Sequence, residues 1–145
     1  MIGLLLLAVF IGSLLPVQTG VNAQLRTFLG TPMATALVSF VVGTVGLLVA
    51  VLWLRTPVPL AEAWSHSAWW QWTGGLLGAI YIAAVVVLAP RLGAGTLIAA
   101  VVGGQMVASL VLDHFGLVGF PEHPISSLRL LGAALVMLGV ALIQR

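Results

Sequence analysis

The chain of 145 residues is 61% hydrophobic and only 6% charged, with five Arg, three acidic residues and no Lys. Globular domains carry about 25% charged residues, so this composition excludes a soluble fold because too few polar groups remain to cover a water-facing surface. The net charge of +2 is too small for a basic face that would track phosphates, which excludes nucleic acid as a partner. The absence of Cys excludes disulfides and thiolate metal sites.

The charged residues separate apolar intervals that predict five membrane-spanning helices. A helix needs about 20 apolar residues to cross the hydrocarbon core. We therefore expect an all-α integral membrane protein, one domain over residues 1–145, with helices near residues 2–20, 33–54, 68–89, 92–112 and 128–143. Arg129, in the first turn of the last helix, is expected to snorkel to the headgroups. Pro90 and Arg91 predict a tight reversal that makes the third and fourth helices antiparallel neighbours.

The first helix has an alternative interpretation as a cleaved signal sequence. Val21, Asn22 and Ala23 follow an apolar run and satisfy the small-residue rule of signal peptidase. The run has no basic residue before it and is longer than the core of a typical signal peptide. These two features favour a retained helix.

The arginines give only a weak signal for orientation. With five spans, Arg55 and Arg129 lie on the side of the amino terminus, whereas Arg26, Arg91 and Arg145 lie on the other side. The excess of positive charge sets orientation, so this near balance predicts a chain that inserts in both directions. If one orientation dominates, the amino terminus should face outward.

Polar side chains inside the spans are the first candidates for a substrate pathway. Gln18 and Asn22 stand four residues apart, on one helix face, just beyond Pro16. They could line a cavity, or they could mark the helix end. Tyr81 is expected about 20 Å into the bilayer, counted at 1.5 Å per residue, so its hydroxyl needs a polar partner such as a substrate or Gln18.

The fourth helix carries the longest polar stripe of the sequence. Gln105, Ser109 and Asp113 recur every four residues, and His114 follows Asp113 directly. Gln105 and Ser109 are candidates for substrate binding. Asp113 and His114 are candidates for coupling to a proton or cation, because histidine titrates near neutral pH. The alternative is a helix that simply ends in Asp-His at the membrane interface.

Tryptophans and histidines in the loops point to the interface more than to a site. Trp64, Trp69, Trp70 and Trp72 cluster where the third helix enters the membrane. Such clusters are typical of an interfacial belt, and the alternative is a stacking surface for a cationic or aromatic ligand. The loop residues Glu62, Glu122, His66 and His123 are expected to be solvated.

Small residues supply candidate surfaces for helix packing, because in lipid they let backbones approach each other. The candidates are Ser39, Gly43, Gly74, Gly75, Gly78, Gly104, Gly132 and Gly139. No arrangement of paired carboxylates, metal-binding histidines, phosphate-binding loop or activated nucleophile is visible. We therefore expect no enzyme, no metal and no cofactor.

Several short motifs follow one another in a characteristic order along nearly the whole chain. They are Gln18 with Asn22, Pro32 with Ser39-Phe40 and Gly43, Trp69-Trp70-Gln71-Trp72-Thr73-Gly74-Gly75 with Gly78-Ala79 and Tyr81, Pro90-Arg91-Leu92-Gly93, Gly104-Gln105, Ser109, Asp113-His114-Phe115-Gly116, and Arg129 with Gly132. This order resembles the YdcZ family of the drug/metabolite transporter superfamily, which are small bacterial membrane proteins with five helices.

The resemblance implies a multi-pass protein of the bacterial inner membrane that is equivalent to half of a ten-helix transporter. Members are thought to pair antiparallel, as homodimers, as pairs of close homologues or as fused repeats. The four-helix multidrug relatives exchange protons for cations at a carboxylate in the middle of their first helix. This chain has no carboxylate there, which argues against proton-coupled cation export.

The leading hypothesis is a small-molecule transporter that works by alternating access as an antiparallel dimer surrounded by lipid. Gln18, Asn22, Tyr81, Gln105 and Ser109 would line its central cavity. One alternative is a non-transporting membrane subunit or assembly protein, whose small residues and amides only join it to other helices. Another is a passive channel.

Overall fold

The computed structural model describes residues 1–143, and over these residues the chain forms five α-helices and no β-strand. The helices are α1 (Ile2–Leu29), α2 (Pro32–Leu54), α3 (Leu60–His66), α4 (Gly74–His114) and α5 (Ser127–Ile143). Two short 3-10 helices, Trp69–Thr73 and Leu117–Gly119, precede and follow α4. The prediction of an all-helical protein is confirmed.

Three apolar segments are long enough to cross a membrane. They are Ile2–Leu29, Pro32–Leu54 and the 46-residue segment Trp69–His114, while Ser127–Ile143 is a shorter apolar helix. One crossing needs about 20 residues, so the third segment has the length for two crossings. Five spans were predicted and five α-helices are observed, but each helix does not correspond to one predicted span. The third and fourth spans form one interrupted helix, and α3 lies within a predicted loop.

The first helix is longer than predicted and continues to Leu29 instead of ending near Gly20. It ends where Gly30 adopts a left-handed conformation, with φ 77°, and donates its backbone N–H to the Arg26 carbonyl at 2.8 Å. The interpretation of Gln18 and Asn22 as markers of a helix end is therefore wrong. Both residues lie inside α1.

The connection between α1 and α2 contains only Gly30 and Thr31. The Thr31 hydroxyl accepts a hydrogen bond from the Ala34 backbone N–H at 3.2 Å, and Pro32 occupies the first helical position. This is a standard helix start, because proline lacks the N–H that would have no partner there. α1 and α2 contact each other, so they form a helical hairpin.

The interruption in α4 lies at Gly93 and not at the predicted reversal of Pro90 and Arg91. Gly93 has φ 74° and ψ 162°, a backbone conformation that is open almost only to glycine, whereas Pro90 and Arg91 are helical. Proline fixes φ near the helical value, so it can remain in the helix if another group binds the carbonyl four residues earlier.

The described chain divides into two compact units, and the first covers Met1–Pro90. Its core consists of Ala36 from α2 and of Ile82, Ala83 and Val86 from α4, with Phe40 and Tyr81 packed against them. Residues 1–14 of α1 are all exposed, so this half of the helix lies outside the core.

The second unit, Arg91–Arg145, brings the later part of α4 against α5. A Cβ atom placed on Gly103 would lie 2.9 Å from the Met137 sulfur and 3.5 Å from Val140. Glycine at position 103 therefore permits this close helix contact. Leu97, Leu110 and Ala133 are buried in this unit.

Candidate functional site

A cavity of about 210 Å³ lies in the first unit and includes the polar side chains of Gln18, Ser39 and Thr44. It is formed by Gln18 of α1, by residues of α2 and by Ile82 of α4; the α2 residues are Ser39, Phe40, Gly43, Thr44 and Leu47. Ser39, Gly43 and Leu47 lie four residues apart and therefore on one face of the helix. The structure places Ser39 and Gly43, which were predicted for helix packing, on this wall beside Gln18.

Gly43 makes room for the cavity. A Cβ atom at this position would have no neighbouring atom within 4 Å. Gln18, Thr44 and Leu47 are exposed, so the cavity is open on one side. A ligand held by this chain alone would be covered on one face only.

Buried polar residues lie close to the cavity along α1 and α2. Asn22, one turn after Gln18, is 5% exposed, and Thr19 is 6% exposed. Thr35 of α2 is fully buried, and its hydroxyl donates to the Thr31 carbonyl at 2.9 Å. The predicted pair Gln18 and Asn22 is therefore divided, because Gln18 lies on an open wall and Asn22 in the interior.

The Tyr81 hydroxyl is a buried polar group of the first unit. Its hydroxyl oxygen is buried and has no hydrogen-bond partner among residues 1–143, including Gln18. An unpaired buried hydroxyl costs about 1–3 kcal/mol. Tyr81 is thus a side chain that needs a polar group from outside the described chain.

Arg26 has a structural role that the sequence analysis did not identify. Its guanidinium Nη1 donates to the Val86 carbonyl of α4 at 3.2 Å. Val86 is four residues before Pro90, which has no N–H to donate to that carbonyl. Arg26 therefore satisfies the acceptor that Pro90 leaves free. The sequence did contain a sign of this role, because Pro90 lies four residues after Val86 and leaves its carbonyl without the usual helical donor.

The polar stripe of α4 in the second unit is split between exposed and paired residues. Gln105 and Ser109 are exposed, and the Ser109 hydroxyl donates to the Met106 carbonyl of its own helix at 2.9 Å. Asp113 forms an ion pair with Arg129 at the start of α5. Arg129 is therefore paired with a carboxylate, and its snorkelling to the headgroups stays a prediction.

Hydrogen bonds to backbone carbonyls connect the loop between α4 and α5 to both members of this ion pair. Arg129 Nη1 donates to the His123 carbonyl at 2.7 Å, and the His123 N–H donates to the Asp113 carbonyl at 2.7 Å. The neighbouring His114 accepts the Ile125 N–H at Nδ1 over 3.1 Å. Asp113, His114 and Arg129 thus have local structural partners, and the role of Asp113 and His114 in coupling stays a prediction. A shallow, open depression of about 440 Å³ at this loop is lined by Asp113, His123, Pro124 and Arg129.

The small residues predicted for helix packing differ in their surroundings. Gly78 contacts a side chain, since its Cβ would lie 3.1 Å from Phe40 Cζ. At the other glycines of the set, a Cβ would meet no described atom within 4 Å; these are Gly43, Gly74, Gly75, Gly104, Gly132 and Gly139. For these six residues, packing stays a prediction that concerns contacts beyond the single chain. Gly103 supports the contact between α4 and α5.

The tryptophans surround the start of α4. The rings of Trp64 and Trp72 lie 5.3 Å apart and are tilted by 58°, and Trp72 Nε1 donates to the Ser67 hydroxyl at 2.8 Å. The Gln71 side chain accepts the Ala68 N–H at 2.8 Å and caps the 3-10 turn. All four tryptophans are exposed, between 43% for Trp70 and 79% for Trp69. Exposed indoles at a helix entrance fit the predicted interfacial belt.

A sequence model of the family described as "Putative inner membrane exporter, YdcZ" matches residues 3–142 of the chain. The chain belongs to the YdcZ family. It is also similar to the inner membrane protein YdcZ of Escherichia coli (strain K12), with 31% identity over 132 residues that cover 90% of this chain and 87% of that protein. No solved structure matches the chain. Membership of the YdcZ family confirms the resemblance in the order of motifs, and it agrees with an apolar, all-helical membrane protein.

Proposed function

We propose that this YdcZ-family protein is a small-molecule exporter of the inner membrane that works by alternating access as an antiparallel dimer. The description of its family supports export across the inner membrane, and the name of its E. coli relative supports location in this membrane. The observation that carries the proposal is the open polar cavity formed by Gln18, Ser39 and Thr44. We further propose that the protein has no catalytic activity.

The open side of the cavity is the argument for a second chain. Polar groups that face the hydrocarbon core are costly unless they have partners, whereas ligand sites usually bury most of the ligand. A second copy seated over the cavity would exclude lipid and enclose a substrate. Exposed Gln105 and Ser109 would gain polar surroundings in the same assembly.

The inverted arrangement follows from the charge distribution and from transporter geometry. Three arginines on one predicted side and two on the other leave insertion nearly unbiased. Transporter sites commonly form between inverted repeats near the membrane midplane. In the proposed dimer, Gln18, Asn22, Tyr81, Gln105 and Ser109 of both copies line the pathway, and Gly132 and Gly139 form part of the contact.

Reporters fused after Arg145 test the topology, one active only in the cytoplasm and one only outside. Single cysteines near opposite ends of α2 test the pairing, because the natural sequence contains no Cys to interfere. We expect activity from both reporters and cross-links between unlike ends. Activity from one reporter with cross-links only between like ends would refute the antiparallel dimer.

Transport itself is tested in proteoliposomes with Gln18→Leu and Gln105→Leu. We expect both variants to assemble and to lose substrate-dependent stabilisation and transport. Ser13→Ala is the matched control, since this exposed hydroxyl only donates to the Phe10 carbonyl of its own helix. If the two variants lose assembly instead, a non-transporting subunit explains the polar residues better.

A further inference from the structure

A second cavity of about 340 Å³ lies on α2 and α4 of the first unit, and its walls are entirely apolar. It is lined by Met33, Ala36, Leu37, Phe40, Leu76, Ala79, Ile80 and Ala83. Phe40 also lines the polar cavity. One aromatic ring is therefore the shared wall of an apolar and a polar compartment.

The position of this ring is fixed by the helix opposite. Phe40 packs against the core residues Ala36, Ile82, Ala83 and Val86. A Cβ atom on Gly78 would approach Phe40 Cζ to 3.1 Å, which is tighter than an ordinary van der Waals contact. Glycine at position 78 therefore leaves the space in which the ring sits between the two cavities.

The polar compartment offers hydrogen bonds but no charge. Its polar groups are the Gln18 amide and the Ser39 and Thr44 hydroxyls, and no charged residue lines either cavity. The hydroxyls of Ser13, Thr27, Thr35 and Ser109 donate to backbone carbonyls three or four residues earlier. Among the described residues, Ser39 and Thr44 make no such bond, so their donors are available to a ligand.

We infer that the substrate is an uncharged amphipathic molecule whose apolar part occupies the cavity of Met33 and Ala79 and whose hydrogen-bonding end reaches Gln18, Ser39 and Thr44. This inference rests on the proposed transport function. A charged substrate would lose its hydration without gaining an opposite charge, which is strongly unfavourable in a membrane interior. An uncharged polar end loses less hydration free energy, and it regains hydrogen bonds in the polar compartment. The two cavities together fall in the range of about 300–1,000 Å³ that is typical of sites for drug-sized ligands.

Three probes with one carbon skeleton separate charge from size: phenylbutyramide, phenylbutylamine and phenylbutyrate. Binding is measured by calorimetry and by thermal stabilisation of the purified full-length protein. We expect the neutral amide to bind more tightly than the cationic amine and the anionic carboxylate. Tighter or equal binding of a charged probe would overturn the inference and leave the transport proposal standing.

Variants assign the two ends of the probe. Ser39→Ala with Thr44→Val should weaken amide binding about tenfold, since a net hydrogen bond contributes about 1 kcal/mol and tenfold corresponds to 1.4 kcal/mol. Ala79→Leu should weaken it similarly by filling the apolar cavity. Thr27→Val is the matched control because its exposed hydroxyl only donates to the Gln24 carbonyl. Unchanged amide affinity in both cavity variants would overturn the inference.

Two other occupants of the apolar cavity give different results. A lipid chain would appear as phospholipid retained through purification, lost in Ala79→Leu and unaffected by the Ser39 and Thr44 changes. A helix of the second copy would make Ala79→Leu disrupt the dimer. Either result, or no binding of any probe, contradicts the inferred substrate class, whereas the reporter and cross-linking tests decide the dimer separately.

Discussion

Replacing Arg26 should weaken the first unit because the Val86 carbonyl would lose the guanidinium donor that reaches it from α1. The bond joins Arg26 Nη1 to a fully buried residue at 3.2 Å, and Pro90 cannot supply the usual helical N–H. Arg26→Met keeps the apolar stem and removes the donor. A buried acceptor left unpaired costs about 1–3 kcal/mol, and the long distance favours the lower half of that range. We therefore expect a loss of about 1–2 kcal/mol.

The test is a double-mutant cycle with Pro90→Ala, which restores a backbone N–H at the position that donates to Val86 in a regular helix. Unfolding free energies are measured by denaturant titration in detergent, followed by circular dichroism. Arg26→Met should cost about 1 kcal/mol less in the Pro90→Ala background. Arg55→Met, at an exposed arginine after α2, controls for the loss of positive charge. Equal costs of Arg26→Met in both backgrounds would refute the reasoning.

Three further predictions concern the break in α4, the loop after it and the tryptophan belt. Gly93→Ala should lower the free energy of unfolding by about 1–3 kcal/mol, because alanine does not tolerate the backbone angles of this residue. Gly104→Ala is the control: its added methyl group would meet no atom within 4 Å, so thermal unfolding should show a neutral or slightly stabilising effect. Asp113→Asn and Arg129→Gln should each lower stability by about 1 kcal/mol, and the double variant hardly more, since they remove one partly exposed ion pair. If Asp113 couples transport to protons, Asp113→Asn should abolish the pH dependence of transport, and an unchanged pH dependence would contradict that role. Trp72→Phe should reduce stability by less than about 1 kcal/mol and leave ligand binding unchanged, and a selective loss of binding would contradict the belt.

The helical class and the membrane environment could be predicted from the sequence because hydropathy and charge spacing act over whole segments. Helix ends were harder, since they depend on single residues. Gly20 resembles a helix end, yet the chain remains helical until Gly30 adopts its left-handed conformation. Likewise, Pro90 remains helical and Gly93 makes the break. Pro90 and Gly93 are both residue types that interrupt helices. The sequence alone cannot tell which of the two interrupts α4, because tertiary contacts decide it.

The candidate site could be predicted only in part. Gln18 was selected from its polarity and does line a cavity, but the shared wall at Phe40 depends on how α2 meets α4. The Asp113 and Arg129 pair joins residues 16 positions apart, and only the path of the intervening loop brings them together. Opposite charges at the two ends of a short connection were the available signal. Arg26 was predicted in the connection after the first helix, on one side of the membrane, whereas the structure gives its guanidinium a backbone acceptor on α4.

The length of α1 has a consequence for the lipid around the protein. Its 28 residues correspond to about 42 Å at 1.5 Å per residue, against about 30 Å for the hydrocarbon core. The helix therefore extends into the headgroup regions, which together with the hydrocarbon core measure about 40–45 Å, or it tilts in the bilayer. Because residues 1–14 are exposed and Arg26 is bonded to α4, the adjustment falls on the free half of the helix. A change in the tilt of α1 would therefore move its amino-terminal half, while the part that carries Gln18 and Asn22 stays next to the Arg26 bond to α4.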